Sequence, residues 1–389
     1  MRILHTVESY LPAIGGMQEV VRQLSERLVG LGHAVTVATR MHPDRTDKTP
    51  GGVQVVEFDL SGNAVKGIQG DAERYKQFLL DSDFDIFTNF AAQQWATDLA
   101  LPLLKQIKGK KVSVPTGFSG LYDPDYSGYF EQMKTWMKDY DTNVFLSDNY
   151  RDIQFARENG ITKNVLIPNG AGADEFLAPS ALNIRKKLGL GPTEFLALHV
   201  GSYTGIKGQK EAVEIFLSSD IQQGTLLLVG FQNDYFKNVY ERKWAYRWLR
   251  FRNRQKNKKV LITQLSRAET VAAYKEADLF LFPSRMECSP IVLFESMASK
   301  TPFLTTDAGN AAEIISWSGG GLMLPTQIDK QGYSRADIGS SAQMLDALYA
   351  DKEKMQRLAE NGFRAWEKKF SWEIIARQYE TLYHNLLQK

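Results

Sequence analysis

Cysteine is nearly absent: Cys288 is the one example in 389 residues, so no internal disulfide framework can form. That usage suits a reducing compartment, and a cytoplasmic location is the expectation. Histidine is sparse as well. The five histidines (His5, His33, His42, His199, His384) are scattered without metal-ligand spacing. His199 sits inside an apolar run and reads as structural. No apolar run reaches the roughly 18 residues that a membrane-spanning helix needs. The first residues, Met1–Val7, carry the pattern of a strand rather than that of a signal peptide. Internal repeats and low-complexity tracts are lacking too.

Hydrophobic residues make up 43% and charged residues 24%, the balance of a soluble globular protein. The length accommodates two or three domains. A net charge of +2 conceals an uneven distribution. Residues 235–259 hold ten Lys/Arg and one acid, Glu241, a local charge of +9 that leaves −7 on the rest of the chain. Phe236, Tyr240, Trp244 and Trp248 recur there every four residues, with Phe251 near the same face. As a helix, the segment is an aromatic stripe flanked by Arg247, Arg250 and Arg254, which is the composition of a helix lying on an anionic membrane surface. A core-packed helix with a solvated basic back explains the same pattern equally well. Nucleic acid has no second feature in its favour.

Strand-like apolar runs alternate with helical patterns almost throughout. One series comprises 2–7, 34–39, 85–88, 111–115, 143–146 and 165–167, with a helix over 17–31. A looser stretch, 171–193, follows. The alternation restarts at 194–201 and continues at 225–229, 260–263, 278–282 and 302–305, with a helix from Lys207. Such alternation predicts a parallel sheet covered by helices on both faces. Two series predict an α/β protein of two doubly wound Rossmann-like domains, facing each other across a cleft.

Ligands of open parallel sheets bind beyond the carboxyl ends of the strands, so the loops there carry the chemistry. In Leu11-Pro12-Ala13-Ile14-Gly15-Gly16, paired glycines let backbone approach a ligand, and the helix start attracts an anion. A plain turn is the equal alternative. The stretch Gly201-Ser202-Tyr203-Thr204-Gly205-Ile206-Lys207-Gly208 repeats that arrangement, and Lys207 can neutralise a diphosphate. Its spacing is neither the Walker pattern nor G-x-G-x-x-G, which weighs against ATPase and dehydrogenase chemistry. The third stretch is Glu287-Cys288-Ser289-Pro290-Ile291-Val292-Leu293-Phe294-Glu295. Ser289 predicts an N-cap and Pro290 a first helical residue. Glu287 then precedes the helix, Glu295 lies near its second turn, and free N–H groups suited to phosphate lie between. A capped core helix with two unrelated glutamates is the plain alternative. Ser266-Arg267-Ala268-Glu269 predicts a capping box.

Placed together, these pieces resemble the retaining glycosyltransferases of family 4, whose fold is GT-B. The resemblance spans nearly the full length. It rests on Gly15-Gly16, Gly32-His33-Ala34-Val35-Thr36-Val37, Ile167-Pro168-Asn169-Gly170, Lys207-Gly208, Ala277–Ser284 and Glu287–Glu295 in that order and spacing. Phe370-Ser371-Trp372-Glu373 and the helix after it are similar to the family's last helix, which returns to the first domain. The resemblance implies an acceptor-side domain over 1–175, a donor-side domain over 190–370 and the returning helix over 371–389. It implies that Glu295 binds the ribose, that Glu287 faces the transferred sugar and that Lys207 holds the diphosphate. Gly15 and Gly16 form the loop that closes over it, and Gly201, Ser202, Ser289, Ile291 and Val292 line the donor. The catalytic pair is then Glu287 and Lys207, in a hexosyltransferase (EC 2.4) that needs no metal and no cofactor. Glu287 is read as a sugar contact that steadies positive charge on the ring, with the acceptor attacking on the face that the diphosphate leaves.

Two positions depart from the family pattern. Ser202 stands where an arginine is usual, and Val112–Gly120 lacks the histidine found near the sugar, leaving Thr116 or a backbone group in its place. Thr116 and Phe118 are the acceptor-side candidates. D-x-D pairs at Asp81/Asp83, Asp83/Asp85, Asp123/Asp125 and Asp139/Asp141 fall in an acid-rich stretch and read as chance. The expected partners are a nucleotide sugar, a glycan or lipid-linked acceptor of surface polysaccharide or glycolipid assembly, and an anionic membrane face met through 235–259. Peripheral attachment to the inner face of the cell membrane would follow. The competing readings are a nucleotide-sugar epimerase of the same fold and a non-catalytic protein that binds sugar nucleotides or membranes.

Overall fold

The apolar runs become strands buried on both faces, as parallel sheets require. In the computed structural model the described residues are 1–231, 234–243, 246–248, 251, 253 and 256–388. They divide into two compact units, Met1–Asn169 with Trp372–Lys389, and Gly170–Ser371.

The first unit contains β1 (Arg2–Thr6), β2 (Ala34–Arg40), β3 (Gln54–Phe58), β4 (Leu60–Asn63), β5 (Gly67–Gly70), β6 (Ile86–Phe90), β7 (Lys110–Val114), β8 (Thr142–Phe145) and β9 (Asn164–Leu166). Seven of these form a parallel sheet in the order β3-β2-β1-β6-β7-β8-β9, while β4 and β5 make a separate antiparallel hairpin. The helix Gly16–Gly30 buries Val20, Val21, Leu24 and Leu28. It ends in a Schellman turn: Gly32 takes φ 89°, Gly32 N donates to Val29 O at 2.9 Å and His33 N to Leu28 O at 3.1 Å. The helix Trp372–Leu387 closes this unit. Its Tyr383 hydroxyl lies 2.9 Å from Thr88 Oγ1 and 3.3 Å from His5 Nε2, all buried. Its Glu373 accepts from Arg27 at 2.7 and 3.0 Å.

The second unit contains β10 (Phe195–Val200), β11 (Gly224–Val229), β12 (Lys258–Thr263), β13 (Leu279–Phe282), β14 (Phe303–Thr305), β15 (Gly321–Met323), β16 (Thr326–Ile328) and β17 (Ser334–Ala336). Six form a parallel sheet in the order β12-β11-β10-β13-β14-β15, and β16 pairs with β17 as a hairpin. Both sheets are doubly wound. The strand order reverses between β1 and β6 in one and between β10 and β13 in the other, and such switch points are where these sheets bind ligands.

Four parts of this architecture lie outside the alternation visible in the sequence: β3, β15 and the two hairpins. Most have three or four residues, too few to show a period. Glu57 interrupts the apolar run of β3, whose place at the sheet edge tolerates it.

Candidate functional site

At the switch point of the second sheet, the loops after β10 and β13 are fastened together. Arg285 N donates to Ile206 O at 2.7 Å, and Ser284 Oγ lies 3.2 Å from the same carbonyl. Gly208 adopts φ 79° at this crossing, and a Cβ there would overlap Pro283 O. Gln209, at the start of the helix Gln209–Ser218, donates from Nε2 to Gly201 O at 3.1 Å and Ser202 O at 3.0 Å. The Ser202 position therefore contributes a backbone carbonyl bound inward.

This fastening brings Lys207 onto Glu287, eighty residues away. Lys207 Nζ lies 2.8 and 2.9 Å from the two carboxylate oxygens, and Ser284 Oγ donates to Oε1 at 2.6 Å. The Glu287 side chain is 9% exposed and that of Lys207 26%. His199 lies beneath, fully buried. Its Nδ1–H donates to Leu281 O at 2.9 Å, and burial pushes its pKa down to about 4, so it is neutral.

Glu295 sits in the helix Ile291–Ala298 and is 3% exposed. Arg267 Nη1 lies 2.5 Å from its Oε1, while Arg267 Nε and Nη2 bond to Glu175 at 3.1 and 2.6 Å. Arg267 opens the helix Arg267–Glu276, capped by the Ser266–Glu269 box. Burial and then the Glu295 carboxylate push the Tyr274 hydroxyl well above its ordinary range. Sequence reading missed Arg267 and Glu175 as parts of this site. The available signal was a carboxylate fixed on the inner face of an apolar helix, which demands a cation.

The helix start differs from the expectation. Ser289 is not its N-cap. Pro290 is the N-cap, extended at φ −70° and ψ 111°, and Ile291 is the first helical residue. Ser289 Oγ instead accepts from Asn310 Nδ2 at 3.2 Å, while Asn310 N bonds to Cys288 O at 2.8 Å. Gly309 permits this approach, since its φ is 64° and a Cβ would overlap Cys288 O. Pro290 offers no side-chain cap bond to the first turn of the helix. Ile291 and Val292 are half-buried on that turn.

In the first unit, Gly15 is the extended N-cap of the helix Gly16–Gly30. A Cβ on Gly16 would meet nothing within 4 Å, so no packing within the protein demands glycine there. The other loops at the carboxyl edge hold four of the non-glycine residues with positive φ: Ala91, Gln93, Thr116 and Phe118. Asp152 Oδ2 accepts from Gly117 N at 2.8 Å, and burial pushes this carboxyl up to about 6. Asp98 accepts from Tyr129 Oη at 2.8 Å and Ala64 N at 2.9 Å and is likewise pushed to about 6 by burial. Thr116 is half-buried. Phe118 is no acceptor contact: its ring is 1% exposed, edge-on to Phe130 and Phe155 at 5.1 and 5.4 Å. The acids of the D-x-D pairs serve local structure, for example Asp83 and Asp85 on Arg2 and Asp141 on Lys111 N.

The basic segment does not present one outward aromatic stripe. In the helix Asp234–Arg242, Tyr240 is buried, and Phe236 packs on Tyr203 at 5.4 Å. The face that carries them turns to the core because Ala212, Phe216 and their neighbours offer apolar cover. Arg247 is exposed, Trp248 is 45% exposed and Phe251 71% exposed. Trp244, Arg250 and Arg254 lie outside the described residues. No helix among the described residues is long and apolar enough to cross a membrane.

Two doubly wound units, with a lysine and a glutamate paired at the switch point of the second, are the architecture of the GT-B class of sugar-transferring enzymes. The fold is matched by sucrose-phosphate synthase from Thermosynechococcus elongatus, with a TM-score of 0.75 and 20% identity over 100% of this chain and 99% of that one. The family models "Glycosyltransferase Family 4" and "Glycosyl transferases group 1" match residues 14–174 and 180–365, and the chain belongs to this glycosyltransferase family. It is similar to N-acetyl-alpha-D-glucosaminyl L-malate synthase of Bacillus anthracis, 21% identical over 97% of this chain and 96% of that protein. It is also similar to GDP-mannose:cellobiosyl-diphosphopolyprenol alpha-mannosyltransferase of Xanthomonas oryzae, 22% identical over 100% and 97%. The chain is an enzyme, and readings as a non-catalytic binding protein fall away.

Proposed function

We propose that this enzyme is a retaining hexosyltransferase that takes a sugar from a nucleoside diphosphate and places it on a glycan or lipid-linked acceptor of surface polysaccharide or glycolipid assembly. The observation that carries the reading is the Lys207–Glu287 pair at the switch point. An ammonium has three N–H donors, and two are spent on Glu287, so the third can reach a diphosphate oxygen. The first turn of the helix Ile291–Ala298 adds backbone N–H groups and the positive end of a helix dipole. Together they stabilise the charge that grows on the leaving diphosphate, with no step through a metal. Glu287 retains lone pairs for sugar hydroxyls and steadies the oxocarbenium character of the ring. Attack comes on the face that the diphosphate leaves, and the diphosphate takes the acceptor's proton. Glu295, fixed by Arg267, receives the ribose hydroxyls.

The first unit supplies the acceptor side, with Thr116 in place of a histidine, and the Gly15-Gly16 turn gives backbone access to an anion. The relative from Xanthomonas oryzae bears a name that couples a GDP-sugar to a diphosphopolyprenol acceptor, the chemistry proposed here. Arg247, Trp248 and Phe251 form the exposed edge that meets an anionic membrane surface.

A thermal-shift series with UDP-, GDP- and ADP-sugars identifies the donor. With that donor, Glu287→Ala abolishes transfer while nucleotide affinity stays within a few-fold, and Glu295→Ala weakens the nucleotide. Equal transfer by wild type and Glu287→Ala would sink the assignment.

A further inference from the structure

The first unit gathers three metal-ligating side chains that sequence spacing conceals. We propose that His33, Glu380 and His384 bind one zinc-class divalent cation, which clamps the final helix to the turn at Gly32. Glu380 and His384 stand four residues apart on the helix Trp372–Leu387, one turn above each other on the same face. His33 arrives from elsewhere, carried to them by the Schellman turn that ends the helix Gly16–Gly30. His33 Nε2 lies 2.9 Å from Glu380 Oε1, and the His33 and His384 rings are 6.0 Å apart between centroids. One ligand atom from each residue lies within 4.8 Å of the other two. A tetrahedral zinc with bonds of about 2.0–2.2 Å holds its ligands about 3.3 Å apart, a difference that side-chain rotation covers.

The donor set selects the ion. Two imidazoles and a carboxylate suit zinc, whereas magnesium and calcium take oxygen ligands. Three protein ligands leave the fourth position to water. The other charged groups here are Arg377, 3.8 Å from Glu380 Oε2, and the Met1 amine, 3.3 Å from His33 Nδ1. Both sit on atoms other than Oε1 and Nε2. His33 is 8% and Glu380 20% exposed in their side chains, so two of the three ligands are already half-fixed. The cation would act on stability: it binds the folded chain and so raises its melting temperature by mass action. Lys207, Glu287 and Glu295 belong to the other unit, and the clamp takes no part in sugar transfer.

Metal-stripped full-length protein titrated with zinc chloride in a calorimeter tests the site. One equivalent binds per chain and the melting temperature rises. His384→Ala, at an exposed position that leaves the His33–Glu380 bond intact, weakens binding by at least about tenfold and removes the rise. His42→Ala, at a histidine elsewhere in the unit, changes neither. Equal zinc affinity in wild type and His384→Ala, or no binding by wild type, overturns the proposal.

Discussion

Asp152 shows what one buried side chain holds in place. Its carboxylate ties down Gly117, beside Thr116 at φ 60°, a conformation that a β-branched residue rarely adopts and that costs about 1–3 kcal/mol. The native carboxyl, pushed up to about 6, binds its proton more tightly than the unfolded chain does. Its contribution to stability is therefore full below about pH 4 and is lost as the pH rises through about 6. The difference is worth at most about 3 kcal/mol. Asparagine keeps an acceptor for Gly117 N and does not titrate. Asp152→Asn is expected to lose less stability than wild type between pH 4 and pH 7, measured by urea unfolding at both. Parallel losses would mean that the carboxyl is ionised throughout. At this scale the sequence was a partial guide. Lys207 and Glu287, singled out in separate loops of the sequence, do meet in the structure, whereas the Arg267 partner of Glu295 was not foreseen. Ser289 misled, because its competitor Asn310 comes from the approach to another helix and no local rule foresees it. Phe118 misled because an aromatic next to a glycine loop looks the same whether it faces ligand or core.

Among elements, the crossing of two loops at Gly208 decides where Lys207 points. Gly205, three residues earlier, also has positive φ (84°), but a Cβ there would meet nothing within 4 Å. Alanine at 205 pays only backbone strain, about 1–2 kcal/mol. Alanine at 208 adds an overlap with Pro283 O and must push the loops apart. Gly208→Ala is therefore expected to cost more in urea midpoint than Gly205→Ala and to raise the donor KM, which Gly205→Ala leaves within a few-fold. Indistinguishable effects would show that the close approach is not restrictive. The long strands were readable from sequence because burial on both faces writes an unbroken apolar run. β15 was not, since three residues carry no period and the glycines before it resemble a loop. The helix Asp234–Arg242 has a readable aromatic spacing, but spacing does not say which side finds apolar cover.

Over the whole molecule, charge is as unequal as the sequence implies: +9 in residues 235–259 against −7 elsewhere. If the exposed basic edge meets a membrane, binding to vesicles should depend on anionic lipid and fall as salt screens it. Neutralising Arg247, Arg250 and Arg254 together is expected to reduce sedimentation with anionic vesicles several-fold while transfer to a soluble acceptor continues. Unchanged sedimentation by the folded variant would remove the membrane reading.

The helix Trp372–Leu387 seals the first unit, yet the whole of Gly170–Ser371 precedes it in the chain. A ribosome emits residues at roughly 5–20 per second and domains fold as they emerge. By that order the second unit is complete before the first can be. Until the helix Trp372–Leu387 leaves the exit tunnel, His5 and Thr88 wait for Tyr383. A nascent chain that lacked this helix would carry a folded second unit joined to an open first one, a form that chaperones and proteases can recognise.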